Sequence, residues 1–428
     1  MEQIVAVAQD RLAEFRAYCL THQDPDCRAW WFTDGPPSPS VAGHRTFGGT
    51  DSPFRLHLLD LYHGRLPTLY NLTTFSTGPD VQIGLNHFVV LDSNVVNYLN
   101  RYLRGRLPDS AARRTVEAFL RFVVTAKLDP SPLFYLTESQ VKATPSRWRS
   151  YASDFMDTVI ALQTMDRDLF ATEGRLASSI AAHARHLQFH GAKDPDGLVS
   201  QYVESLPASI AQGEAEKLDL QYAGLMKAAL LRLEDVHDLA TRHDLLGDFM
   251  ASQLGAVLGM ERFLAVLHWV APERFAKLMT PLQPGANAAT ALAKLRSTTW
   301  DIYLARLPEQ LGRFIRPTDP GHAEAVCDLY YVATGEDQLA EFIGHRSIEL
   351  LVQHSDPGKS SILVGHRAGI LMDLLGESAV VALKERSNIW EEGILTTANE
   401  RQPLKGEALQ ALIVELEVEI QEACETAR

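Results

Sequence analysis

The sequence predicts an α/β fold in which a parallel-sheet core is split by a large, mainly α-helical insertion. Three observations predict it. Residues 88–91 (FVVL) are an apolar run too short for a helix and closed by Asp92. That is the pattern of a strand buried on both faces with a polar residue at its C-terminal edge. Residues 326–334 (VCDLYYVAT) repeat the pattern ahead of a turn and a helical stretch. Between the two, residues 150–275 carry Leu, Ala and Met at three- and four-residue spacing with little Gly or Pro.

Taken in order, residues 1–22 read as an amphipathic helix, and residues 23–80 are loop-rich around Pro36, Pro37, Pro39 and the Gly48-Gly49 pair. Together they predict an N-terminal helix plus a loop-rich cap over 1–80. Residues 81–140 form the first half of the core. The strand leads into a helix whose period runs through Val95, Tyr98, Leu99 and Tyr102. A helix over 111–124 follows, then a turn at Pro130 and Pro132, then a helix from Leu133 that carries Glu138. Residues 141–290 are the helical insertion, closed by the break PLQPGANAAT at 281–290. Residues 291–365 are the second half of the core, with a helix over 291–311, the second strand and a short strand at 362–364. Residues 366–428 are a C-terminal helical extension ending in an acidic helix over 407–426.

The chain has 428 residues, 54 acidic against 40 basic side chains and a net charge of −14. Apolar residues make up 46%, enough for a sizeable core, which argues against disorder and fibrous classes. The acidic balance argues against a coat that binds nucleic acid by bulk positive charge, but leaves room for an enzyme with a local basic groove. Cys19, Cys27, Cys327 and Cys424 include no C-x-x-C pair, so neither a zinc ribbon nor a disulfide scaffold is expected. The first twenty residues carry charges throughout and lack a signal-peptide pattern, and no run of about 18 apolar residues suggests a membrane span. A reduced, cytoplasmic setting and no membrane partner are the expectation.

The residues that point to chemistry are carboxylates. Asp92 closes the first strand, Glu138 lies on the helix of PLFYLTES, Asp301 lies in TTWDIYLARLPE, and Glu336 follows the second strand in YYVATGEDQL. Open α/β sheets gather ligands at the C-terminal ends of their strands, so distant carboxylates can meet there. Mg2+ and Mn2+ are hard cations that take carboxylate oxygens, and phosphodiester hydrolysis needs such an ion to activate water and stabilise the leaving oxygen.

These residues resemble the PIN-like nucleases. An apolar strand ending in Asp, then Ser, Asn and an apolar helix is matched by VVLDSNVVNYL; a helical Glu follows at Glu138; Asp301 opens a helical segment; and Thr334, Glu336 and Leu339 fit the last motif. Glu336 stands where Asp is usual, with Asp337 beside it, and Asp328 in the second strand is an alternative to Asp301. The resemblance covers residues 85–140 and 295–345, about a quarter of the 428 residues, and an insertion of this size is a departure from the family. It implies a metal site of Asp92, Asp301 and Glu336 holding Mg2+ or Mn2+. Glu138 would serve as a further ligand or orient water, and Ser93, Asn94 and Thr334 would support the site. It also implies a nucleic-acid substrate, RNA ahead of DNA, and by analogy a bacterial toxin or defence role.

Arg101, Arg104 and Arg106, with Arg113 and Arg114 nearby, form a candidate basic patch for the substrate, or an ordinary solvated helix face. Trp148 and Tyr151 among arginines could stack bases, but a partly buried helix start is the stronger reading.

Two other functions compete. His183, His186 and His190, with His237-Asp238 and His243-Asp244, raise an HD-type metal phosphohydrolase. Alternatively the carboxylates are incidental, with Asp92 capping the next helix, and the chain is a helical binding or adaptor protein. In either case the insertion offers a surface for a protein partner or for self-association. Gly-Lys-Ser at 358–360 lacks the upstream glycine of a phosphate-binding loop, since Gln353 occupies that place.

Overall fold

The computed structural model describes residues 28–32, 43–70, 83–131, 133–142, 145–174, 177–194, 196–198, 200–201, 208–233, 238–256, 258–279, 282, 285–311, 314–315, 325–353, 361–366, 369–383, 385–386 and 403–425. The expected helix at 1–22, His237 and the Gly-Lys-Ser segment lie outside them.

The main sheet has the strand order β2-β3-β8-β5-β6, with β7 added to β8. Its strands are β2 (Arg45–Phe47), β3 (Leu56–Leu59), β5 (Ile83–Leu91), β6 (Asp129–Ser131), β7 (Phe314–Ile315) and β8 (Ala325–Thr334). The centre is parallel: β5 pairs with β8 from Ile83↔Ala325 to Leu91↔Ala333, and with β6 on its other side. The flanks are antiparallel, β3 on β8, β2 on β3 and β7 on β8. The sheet is therefore mixed, where an all-parallel core was expected. Val89, Val90 and Leu91 are consecutive and all buried, which requires cover on both faces of the sheet.

Residues 45–59, expected within a cap, extend the main sheet instead. A second, antiparallel sheet has the order β10-β9-β1-β4, from β1 (Arg28–Phe32), β4 (Pro67–Tyr70), β9 (Arg346–Gln353) and β10 (Ser361–His366). It joins the first hundred residues to the segment after β8, a pairing too distant in sequence for local patterning to reveal.

Each parallel strand runs into a helix. After β5 comes α1 (Ser93–Leu103), which buries Val95, Val96 and Leu99. Helix α2 (Ser110–Thr125) follows, started by Asp109, whose carboxylate accepts from the Ala112 amide at 2.7 Å. After β6 comes α3 (Leu133–Lys142), and after β8 comes α11 (Asp337–Gly344).

Between them lie α4 (Pro145–Gln163), α5 (Arg167–Glu173), α6 (Ile180–His190), α7 (Ala208–Leu233), α8 (Leu239–Phe249), α9 (Gly259–Val270) and α10 (Ala288–Leu311). Helices α12 (Gly369–Leu375) and α13 (Gly406–Glu425) close the described chain. The region expected to be a helical insertion is helical, yet it is not a separate body. Helix α7 packs on α3, α10 and α13, and its buried residues belong to the same hydrophobic cluster as the sheet. Among the described residues, no helix is long and apolar enough to cross a membrane.

The contact that positions the candidate site is α3 against α10. Phe134 is 2% exposed and meets Trp300 and Tyr303 at ring-centroid distances of 6.2 and 6.1 Å. Truncating a buried Phe costs about 3–5 kcal/mol. Phe134→Ala should therefore lower unfolding free energy by about that amount in a denaturant titration; a loss below about 1 kcal/mol would mean that the two helices are held by other contacts.

Candidate active site

The site forms where the parallel strands end. The ladder places Leu91 beside Ala333, so the next residues, Asp92 and Thr334, emerge side by side. The Asp92 amide donates to the Ala333 carbonyl at 2.9 Å, and the Thr334 hydroxyl donates to the Asp92 carboxylate at 2.7 Å. Asp92 occupies the N-cap position of α1 but makes no side-chain capping hydrogen bond. Its carboxylate accepts from Thr334 at the sheet edge, and the Asn94 backbone amide near it helps to lower its pKa.

Two neighbours in α1 tie in the glutamates. The Ser93 hydroxyl donates to Glu138 Oε2, and Asn94 Nδ2 donates to Glu336 Oε1 at 3.0 Å. Lys142, one turn after Glu138 on α3, binds its other oxygen at 2.5 Å. Glu336 sits at the N-cap of α11, again without a side-chain cap bond, and its amide donates to Thr334 Oγ1 at 3.1 Å. Asp301 comes from the middle of α10, two turns beyond Lys294. Its residue neighbour Trp300 lies beneath the Lys142 ammonium, 5.4 Å from the ring centroid.

The four carboxylates are close enough to repel. Burial pushes Asp92 up to about 6, with Glu138 and Glu336 adding to it and the Thr334 hydroxyl opposing. Burial pushes Asp301 up to about 7; Lys294 opposes this, and Asp92, Glu336 and Glu138 reinforce it. The structure thus brings together Asp92, Glu138, Asp301 and Glu336, with Ser93, Asn94 and Thr334 as their hydrogen-bond partners.

Other candidates lie elsewhere. Asp328 is six positions before Thr334, about 20 Å away at ~3.3 Å of rise per residue, and accepts from Asn86 Nδ2. It cannot replace Asp301 at this edge. Asp337 follows Glu336 at the start of α11, and its carboxylate is engaged by His57 Nε2 at 2.8 Å. Arg101, Arg104 and Arg106 are exposed at the C-terminal end of α1, whereas Asp92 is at its start. At ~1.5 Å per residue they begin about 13 Å from Asp92, so they do not line the carboxylate edge. Arg113 pairs with Glu117 at 2.9 Å and Arg114 with Asp51 at 3.0 Å. Trp148 is buried and its indole N–H donates to the Leu136 carbonyl at 3.4 Å, so it offers no stacking face.

Among the described residues, Lys142 and Lys294 are cations beside the acids that motif reading passed over. Their signal was helical spacing, i+4 from Glu138 and i−7 from Asp301.

Of the residues expected for an HD-type centre, His237 and the side chains of His186 and His190 lie outside the described residues, and Asp238, His243 and Asp244 are engaged elsewhere. Asp238 caps α8 by accepting from the Thr241 amide at 2.7 Å. His243 is buried, and its Nε2 faces the Arg262 guanidinium at 2.8 Å. A guanidinium only donates, so this nitrogen is the acceptor and the ring is neutral. Burial first, and then Arg262, hold its pKa down to about 4. Asp244 pairs with Arg386.

Among the described residues, no three His, Cys, Asp or Glu side chains stand close enough to grip one ion as they are placed. The glutamate oxygens that would converge are turned to Ser93, Lys142 and Asn94. The donor set nevertheless suits a hard divalent cation: four carboxylates and a hydroxyl at one sheet edge, whose mutual repulsion Lys142 and Lys294 offset only in part. No family model, curated protein or solved structure matches the chain.

The raised acids fix a pH dependence. The folded state holds the Asp92 proton between the ordinary value of 3.8 and about 6, where the unfolded chain has lost it. Stability therefore falls as pH rises through this window, and the penalty is complete above it. Asp92→Asn, measured in EDTA, should raise stability by about 1–3 kcal/mol at pH 7.5 and lose that advantage near pH 4. A stability loss at pH 7.5 would show that the Asp92 charge is compensated, not repelled.

Proposed function

We propose that the chain is a divalent-metal-dependent nuclease that hydrolyses phosphodiester bonds at the carboxylate edge. The observation that supports this best is the gathering of Asp92, Glu138, Asp301 and Glu336 from separated segments onto one strand edge, although their charges repel. Acids such as Asp92 are costly to bury, so their collection is understandable where a cation offsets them.

In this reading Asp92, Asp301 and Glu336 hold Mg2+ or Mn2+, and Glu138 is a further ligand or orients the attacking water. When bound, the ion supplies an acidified water and stabilisation of charge on the phosphoryl and leaving oxygens. Thr334 fixes the Asp92 carboxylate, Asn94 fixes Glu336, and Ser93 fixes Glu138. The starts of α1 and α11 direct backbone N–H groups toward the same edge, which favours an anionic substrate there. Lys142 and Lys294 add positive charge beside the acids, so the net charge of −14 does not by itself repel a phosphate from this edge.

RNA ahead of DNA as substrate rests on the motif resemblance to PIN-like nucleases, and so does a toxin or defence role. Arg101, Arg104 and Arg106 would touch a substrate only where it runs along α1, away from the reacting bond.

The test is cleavage of labelled single-stranded RNA and DNA. Activity should need Mn2+ or Mg2+, stop in EDTA, and fall by roughly 100-fold or more in Asp92→Asn and in Asp301→Asn. Cleavage that persists in both variants or in EDTA would sink the reading.

A further inference from the structure

Glu138 and Lys142 are four residues apart on α3, a spacing that on an exposed helix gives a weak surface pair. Here the surroundings differ. The Glu138 side chain is only 12% exposed, and its two oxygens are divided between Lys142 and the Ser93 hydroxyl. Lys142 keeps half its side chain in solvent, and its ammonium lies over the Trp300 indole, next to Asp301. An indole face holds a cation without a counter-charge. The ammonium therefore rests on two partners at once, the Glu138 carboxylate and the indole face.

We propose that Lys142 is the resident counter-ion of Glu138, a positioning residue that occupies one oxygen of that carboxylate and gives it up, keeping only its contact with the Trp300 face, when a divalent cation binds. The inference rests on the metal-site reading above. It explains why four gathered carboxylates do not converge as they stand: the lysine holds one of them back. It also makes Lys142 a competitor of the metal, so cation affinity becomes a difference between two occupants of one carboxylate. The displaced ammonium stays beside the edge, where it can meet a phosphate oxygen.

The experiment is calorimetric titration of the full chain with Mn2+ at pH 7.5 and low salt. It compares the native protein with Lys142→Met and Lys142→Arg, each in the Glu138 and Glu138→Gln backgrounds. Lys142→Met should tighten Mn2+ binding about three- to fivefold, a gain discounted for the half-exposed lysine. Lys142→Arg should stay near the native value. In the Glu138→Gln background the tightening should vanish, because the effect passes through that carboxylate. Equal affinities with and without Lys142, or tightening undiminished in Glu138→Gln, would overturn the counter-ion role while leaving the metal site standing. If no version binds Mn2+, the metal-site reading falls and the counter-ion role falls with it.

Discussion

The parallel ladder between β5 and β8 is the constraint from which the candidate site follows. Its register is continuous from Ile83↔Ala325 to Leu91↔Ala333, and the strands are buried over their last residues. A one-residue slip would turn every side chain to the opposite face, which a core covered on both sides resists. With the register held, Asp92 and Thr334 have to leave the sheet together. The hydrogen bond between them, the entry of α1 and the entry of α11 are consequences of that pairing. Glu138 arrives by the same logic from β6, which extends the parallel set on the far side of β5.

Asp301 is the exception, since it comes from a helix and not from a strand end. Its delivery depends on how α10 is clamped. Phe134 packs on the Trp300 and Tyr303 rings, while the Glu261 to Arg306 and Glu309 to Arg346 ion pairs grip the C-terminal half of α10. Glu261 and Arg346 are 0% and 2% exposed. A buried ion pair adds little net stability, but losing one partner is severe, so such pairs act as strong position markers. They hold α10 in place although its middle carries an acid that other acids repel. Region 141–290 thus contributes to the site through its packing, because α7 packs against α10 and the Glu261 to Arg306 pair ties α9 to it.

Much of this was legible in the residues and some was not. The apolar runs before Asp92 and before Glu336 marked the two central strands, because burial on both faces leaves a continuous hydrophobic stretch. The helical region was equally plain from its period. β2 and β3 were not legible: they are three and four residues long, and β8, through which β3 joins them to the sheet, lies nearly three hundred residues away. The second sheet escaped for the same reason. Among site residues, closeness in sequence misled twice. Arg101 to Arg106 follow Asp92 closely, but a helix carries them to its other end. Asp328 shares a strand with Thr334, but an extended chain separates them by most of that strand's length. Lys142 and Lys294 were visible only once the acidic residues were treated as positions on helices with neighbours a turn or two away.

The −14 charge is best understood locally. A few acids are gathered at one sheet edge, where burial first and the neighbouring acids after it raise the pKa of Asp92 and Asp301, which is the physical content of the claim that this edge is built for a cation. Anomalous diffraction from crystals of the full chain grown with Mn2+ tests that claim most directly. The account predicts a manganese peak at the ends of β5 and β8, within about 2.0–2.6 Å of oxygens from Asp92 and at least one of Asp301 and Glu336. Well-ordered, unoccupied carboxylates at this edge, with manganese bound elsewhere or nowhere, would contradict it.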